Sequence, residues 1–221
     1  HTIGIGESVL AEKIGDIKKI VRKGKVYEVK LAFLPSNYEV RLRITATAKT
    51  AQEVKKLISD AEKLLRKKAG SYIYSSDESP IERTLGVLLK KRGLTIAVAE
   101  SCTGGLIASK LTDVGGSADY VMDAIVAYSN EAKRRLLGVK AKTLKAYGAV
   151  SRKVAEEMAS GIRRRSKTDI GISVTGIAGP TGARPGKPVG YVWIGYSDSK
   201  STFAQDFIFT KDRLRNKDIM A

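Results

Sequence analysis

Histidine is almost absent from this chain. The only one in 221 residues is His1, so a Ser-His-Asp triad or a Cys-His pair has no internal imidazole to serve as base. Cysteine is equally scarce. Cys102 stands alone, which excludes an internal disulfide framework, leaves no Cys/His set for zinc, and fits a reducing, cytoplasmic setting. No apolar run approaches the roughly 20 residues of a membrane-spanning helix, and no signal peptide is visible. There is no solenoid-period repeat and no low-complexity segment. Acidic residues are in deficit, 23 against 40 basic ones, for a formal net charge of +17. If this protein performs nucleophilic catalysis, lysine is the leading candidate for the base, with no metal and no cofactor.

The basic excess is spread along the chain: residues 1–79 carry 16 basic and 10 acidic groups, residues 80–221 carry 24 and 13. Runs such as Arg163-Arg164-Arg165 sit at an expected helix C-terminus, where cations complement the dipole. Solvated faces on a basic protein account for most of this charge. Attraction of small phosphorylated substrates is a second use for the same field, and nucleic acid is expected to bind only non-specifically.

Residues 1–78 alternate as βαββαβ, the order of a small ferredoxin-like α+β domain. A short strand at 2–5 precedes an amphipathic helix from Ser8 to about Lys23. Strands at 26–34 and 39–48 are joined by the turn-forming Pro35-Ser36-Asn37. A helix opens on the capping box Thr50/Glu53 and stops at Gly70, and 71–74 forms a last strand. RNA-binding modules share this topology but stack bases on aromatics in the first and third strands. Those strands here have none, which favours a structural or regulatory unit.

A polar stretch near 75–79 marks the boundary, and 79–221 forms the second domain. Ser79-Pro80-Ile81-Glu82 begins a helix ended by Gly93. Strands at 94–100, 124–128 and 170–175 then alternate with helices from Gly104, Ser129 and Ser151. A hairpin, 191–196 with 203–209, leads to a helix near Asp212. The expectation is an α/β domain with a mostly parallel three-layer sheet and an antiparallel portion late in the chain.

In such sheets ligands bind at the carboxyl ends of the parallel strands. Three of those ends carry reactive or small residues: Glu100-Ser101-Cys102-Thr103-Gly104-Gly105, Tyr128-Ser129-Asn130-Glu131-Ala132-Lys133, and Thr175-Gly176-Ile177-Ala178-Gly179-Pro180. Parallel strands put all three on one rim. Ser101 sits where a strand turns into a helix, exposed as a nucleophile or engaged as a simple helix cap. Ser129 caps the next helix and places Lys133 in its first turn, where the dipole and Arg134 disfavour the ammonium form and partial burial lowers its pKa further. Tyr128 is placed to relay or orient the proton. Cys102 is the rival nucleophile, but side chains alternate along a strand, so only one of Ser101 and Cys102 faces the rim. Gly182 and Gly186 mark 181–189 as a lid. The Ser197/Lys200 pair matches S-x-x-K but falls at a hairpin tip.

The motifs AESCTGG, AYSNEAK, YGAVS and SVTGIAGPTG, in this order over roughly 80–221, resemble the C-terminal domain of the CinA (competence/damage-inducible) family, the nicotinamide-nucleotide amidohydrolases. The opening TIGIGE is similar to the start of the family's linker domain, so the chain resembles a member without the N-terminal molybdopterin-binding-like domain. The resemblance implies hydrolysis of the carboxamide of nicotinamide mononucleotide, without metal, by a homo-oligomer using Ser101 and Lys133 with Tyr128 nearby. Substrate-binding positions implied are Ser117, Thr175 and Arg213, although Lys211 stands where members typically have Gly before the Asp. Thr103, Gly104, Gly105, Asn130, Gly176 and Gly179 complete the expected site, the N–H groups of 103–105 receiving the oxyanion. The alternative is a non-catalytic phosphoribosyl-ligand or nucleic-acid binding protein.

Overall fold

The computed structural model describes residues 1–36 and 38–221, so Asn37 of the expected turn lies outside the described residues. The chain divides into two compact units, His1–Ile81 and Glu82–Ala221.

The first unit contains β1 (Thr2–Ile3), α1 (Glu7–Ile14), β2 (Arg22–Lys23), β3 (Glu28–Pro35), β4 (Glu39–Thr47) and α2 (Ala51–Ala69). Its sheet runs β1-β4-β3-β2, antiparallel throughout. Strand alternation sends Val29, Leu31, Phe33, Val40, Leu42 and Ile44 toward Leu10 and Ile14 of α1 and Ala61 and Leu65 of α2, while Lys30, Arg41 and Arg43 face outward. The capping box at α2 forms as its residues dictate: Glu53 N donates to Thr50 Oγ1 at 3.2 Å and Thr50 N to Glu53 Oε2 at 3.0 Å. Two elements differ from expectation. The first helix stops at Ile14, because Gly15 takes φ +69 and Asp16 accepts the Lys18 N–H at 3.0 Å, diverting the chain into a 3-10 turn and then β2. The last strand is replaced by a 3-10 turn at Gly70–Tyr72 and one antiparallel bridge, Thr2 to Ile73.

The second unit follows as α3 (Ile81–Arg92), β5 (Ile96–Glu100), α4 (Leu106–Thr112), β6 (Val121–Val126), α5 (Asn130–Leu137), α6 (Ala141–Tyr147), α7 (Arg152–Ser166), β7 (Ile170–Gly176), β8 (Tyr191–Ser197), β9 (Thr202–Ile208) and α8 (Arg213–Met220). The sheet order is β6-β5-β7-β8-β9. β5 is parallel to both β6 and β7, whereas β8 pairs antiparallel with both β7 and β9, so the sheet is mixed. All five β5 residues are buried. Ala97 and Ala99 pack toward α5 and α7, Ile96 toward α3, and Cys102 beyond the strand joins Met220 of α8, giving helix–sheet–helix layers. Glycine sets how closely α7 lies on the sheet. A Cβ on Gly195 would stand 2.5 Å from Ala155 O, and one on Gly171 would overlap Ala159 O. Ser197 and Lys200 fall at the β8–β9 hairpin tip, where Asp198 accepts the Lys200 and Ser201 N–H groups at 2.7 Å each.

Candidate functional site

The parallel strands β5 and β6 pair from Ile96/Val121 to Glu100/Val126, with a one-residue shift after Ile96 and a regular register from Ala97/Asp123 onward, so Ser101 and Tyr128 leave the sheet on the same rim. Thr175, near the end of β7, is two strands from β6 on that rim. Between β5 and α4 the chain turns through Gly104 at φ +66 and Gly105 at φ +98, consecutive left-handed positions that residues with a Cβ rarely adopt. The turn is held from below by Glu100. Its carboxylate is 1 % exposed and accepts N–H groups from Gly105 (2.9 Å), Ile107 (3.2 Å) and Ala108 (2.9 Å) at the start of α4. The protein therefore carries its own anion at this helix N-terminus.

Ser129 caps α5, accepting from Ala132 N at 3.0 Å, and so fixes Lys133 on the inward side of the first turn. Lys133 is 1 % exposed, and Ser101 is buried as well. Lys133 Nζ lies 2.9 Å from Ser101 Oγ, 2.7 Å from Ala127 O and 3.2 Å from Tyr128 O. Burial pushes its pKa down from 10.5 to about 8. Desolvation leads, and the neighbouring Arg134, expected to contribute, is exposed and is not among the causes. A neutral amine has two N–H donors and one lone pair. The two carbonyls match the donors, and the remaining contact is the hydroxyl of Ser101. Cys102 is differently placed: it is buried against Met220, with Sγ 3.6 Å from Met220 Sδ, and desolvation pushes its pKa up to about 12. The thiol is not a nucleophile at neutral pH.

This lysine leaves a thermodynamic signature. Below about pH 8 folded and unfolded chains both hold the proton and the penalty of burying it is fully present; between 8 and 10.5 only the unfolded chain holds it, so stability rises with pH. Measured against Lys133→Met, the wild type is expected to gain about 3 kcal/mol between pH 7 and pH 10.5. Urea titrations of both proteins across that range check it, and a difference flat with pH would contradict a depressed lysine.

Above the pair opens a cleft of about 330 Å³, lined among others by Ser101, Tyr128, Lys133, Val150, Thr175, Gly176, Gly179 and Arg213. The floor loop after β7 is fastened by α8. Asn216, fully buried, donates to Ala178 O and Thr210 O and accepts from Thr210 N and Oγ1, all within 2.8–2.9 Å. Arg213 donates from Nη1 to Gly179 O at 2.7 Å and from Nη2 to Tyr128 OH at 3.4 Å. The Tyr128 phenol thus pairs with Arg213 at the rim, and its backbone carbonyl is what reaches Lys133. The 181–189 segment is fastened by Lys187, whose Nζ donates to Tyr147 O at 2.9 Å and Val150 O at 2.7 Å. Lys133 and Arg213 give the cleft its charge, and no Asp or Glu is among its lining residues.

A family model described as "CinA C-terminal domain" matches residues 78–221. This chain belongs to the CinA family. A second model, "Damage-inducible protein CinA KH domain", matches residues 1–75. A CinA-like protein of Chloroherpeton thalassium is 48 % identical over 98 % of this chain and 52 % of its own length. A putative competence-damage inducible protein of Halothermothrix orenii is 48 % identical over 88 % of this chain and 46 % of its own. The chain therefore spans about half the length of the curated relatives it matches. Among solved structures, the competence/damage inducible protein CihA of Agrobacterium tumefaciens aligns with TM-score 0.60 and 39 % identity, covering 62 % of this chain and 84 % of its own. A CinA superfamily protein of Escherichia coli aligns with TM-score 0.61 and 32 % identity, covering 63 % and 81 %.

Not every position that the CinA resemblance pointed to gathers at the cleft. Gly105 spends its N–H on Glu100, and Gly104 donates to Ser101 O at 3.2 Å within the turn, which removes both from the expected oxyanion role. Thr103 is fully buried, its Oγ1 without a hydrogen-bond partner among the described residues. Asn130 opens α5 but does not line the cleft. Ser117 lies before β6, whose first residue pairs with Ile96 at the start of β5. That is the amino-terminal rim, about 16 Å of strand from Ser101. Thr175 lines the cleft but its hydroxyl is committed, donating to Ala149 O at 2.9 Å. Glu100 and Asn216 carry structural roles that the sequence reading did not assign. The signal for Glu100 was an acidic residue inside an otherwise apolar strand. Asn216 had no local signal.

Proposed function

We propose that the second unit hydrolyses the carboxamide of nicotinamide mononucleotide to nicotinate mononucleotide and ammonia, with Ser101 as nucleophile and Lys133 as general base and acid. What carries this reading is the buried 2.9 Å contact between Lys133 Nζ and Ser101 Oγ, in a chain whose only histidine is at position 1. With a pKa near 8, about one Lys133 in ten is neutral at pH 7, against roughly one in three thousand for an ordinary lysine.

The neutral amine takes the Ser101 proton as Oγ bonds to the amide carbon and the carbonyl electron pair moves onto oxygen. The ammonium formed on Lys133 faces that oxyanion in a water-poor site, where opposite charges attract strongly. It then passes its proton to nitrogen as the C–N bond breaks, releasing ammonia and leaving an ester on Ser101. Water, deprotonated by the same lysine, attacks the ester and frees the carboxylate. Arg213 has five N–H donors and uses two on the protein. The others suit the 5′-phosphate. Arg213→Ala is expected to raise KM about 10- to 100-fold with a much smaller change in kcat.

The test is ammonia release from nicotinamide mononucleotide with a chelator present, run beside Ser101→Ala. Turnover lost in that variant supports the reading. Salt-sensitive oligonucleotide binding with no turnover by the wild type would replace it with a polyanion-binding role. Sedimentation of the active protein tests the homo-oligomer that the resemblance implies.

A further inference from the structure

Two segments separate in the chain share the lining of the cleft: the α6–α7 connection, through Ala149 and Val150, and the loop after β7, through Gly176, Ile177, Thr181 and Gly182. Three hydrogen bonds join them. Thr175 Oγ1 donates to Ala149 O at 2.9 Å, and Lys187 Nζ donates to Tyr147 O at 2.9 Å and to Val150 O at 2.7 Å. Ser151 Oγ donates to Gly148 O at 2.9 Å. Each carbonyl from 147 to 150 therefore has a side-chain donor, and Lys187 serves two of them. A connection outside any ladder depends on such partners for its backbone groups. Tyr147 is also the last residue of α6, where a cation complements the helix dipole.

Lys187 is the outermost fastening of the loop. At the base, Gly190 N donates to Ile177 O at 2.8 Å and Ile177 N to Tyr191 O at 2.9 Å. Asn216 and Arg213 then hold the Ala178 and Gly179 carbonyls. Farther out, Arg184 N donates to Lys187 O at 2.9 Å and Lys187 N to Arg184 O at 2.8 Å, a tight turn that carries Lys187. Among the described residues no other side-chain hydrogen bond ties 180–189 to the body of the unit. Residues 181–186 are all exposed, so burial supplies little to hold them.

We propose that Lys187 is a positioning residue of this site: by strapping the loop to the α6–α7 connection it fixes the wall they share, and so sets how tightly the nucleotide is held. The inference rests on the proposed reaction. Lys187 is not among the residues that line the cleft. The reacting pair is placed by other means, Ser101 by the turn that Glu100 holds and Lys133 by the Ser129 cap. Loss of the strap therefore weakens ground state and transition state alike, which raises KM and spares kcat. Arginine keeps the charge and has donors enough for both carbonyls, whereas methionine has none.

The test is the kinetics of Lys187→Met and Lys187→Arg beside amide hydrogen exchange. In Lys187→Met, KM for nicotinamide mononucleotide is expected to rise about 10- to 100-fold with kcat within about threefold, and Lys187→Arg to recover part of that loss. The Arg184 and Lys187 amides should exchange at least about tenfold faster in the methionine variant, while those of α7 match the wild type and report an intact fold. An unchanged KM in Lys187→Met overturns the inference and leaves the reaction standing; a lowered Tm without a KM effect is the mark of a merely structural lysine. Should the wild type release no ammonia, the reaction falls, and the calorimetric Kd for nicotinate mononucleotide decides the strap: weaker binding by Lys187→Met supports it, and equal binding overturns it. A wild type that neither hydrolyses nor binds a mononucleotide overturns both.

Discussion

Replacing Ser101 with alanine, or Lys133 with methionine, is expected to lower kcat for ammonia release by at least about 10⁴-fold, because each removes one member of a pair that acts as a unit. The double variant should be little worse than either single one. Lys133→Arg is the sharper test. It keeps the positive charge on a somewhat longer side chain, but a guanidinium does not give up its proton in a protein, so turnover is lost as completely as with methionine. Cys102→Ala should retain activity, since the thiol is buried against Met220 and held near pKa 12. In the wild type kcat/KM should rise with pH to a plateau above about 8, following the free lysine. A profile flat from pH 6 to 9, or activity surviving in Lys133→Arg, would remove the amine from the reaction.

How the sequence announced this pair, and what it concealed, follows from the range of the forces involved. Ser129 as a cap, the glycines of the β5–α4 turn and the apolar strands are local devices. Each acts within a few residues, so each is readable, and parallel strands turn those local readings into one shared rim. The contact between Lys133 and Ser101 spans 32 positions and was approachable because so few other bases exist in the chain. Interactions that come only from packing stayed hidden. α6 shows this well: its start has no side-chain cap of its own, and Glu157 of α7 reaches across to accept the Lys140 N–H and the Thr143 hydroxyl at 2.8 Å each. The overlong first helix failed for the opposite reason. Apolar periodicity continued past Gly15, but one positive φ and the Asp16 cap decided the local chain direction. Burial also displaced charge as the cause of the lysine shift, because only the fold determines that Lys133 is enclosed.

Glu100→Ala is expected to destabilise the protein by about 3–5 kcal/mol, through three backbone donors at the start of α4 that lose their acceptor in a partly buried position. For a protein of this size that is a fall in Tm on the order of 10 °C, readable by calorimetry. Glu100→Gln is milder and more informative. Its single carbonyl oxygen can serve Gly105 and Ile107, but its NH₂ then confronts the Ala108 N–H, so the turn shifts while the fold survives. Displacement of Ser101 by about 1 Å should cost roughly 10²-fold in kcat with KM nearly unchanged. Glu100 acts as a positioning residue, so the pH at which activity turns on should stay near 8. Were its charge instead what sets the lysine, the glutamine variant would shift that midpoint downward, since removing a nearby anion favours the neutral amine. Burial, the leading cause of the Lys133 shift, is untouched by the exchange, and Glu100 is not among the charges that act on it. A fixed midpoint with a reduced plateau is therefore the outcome that assigns Glu100 to geometry.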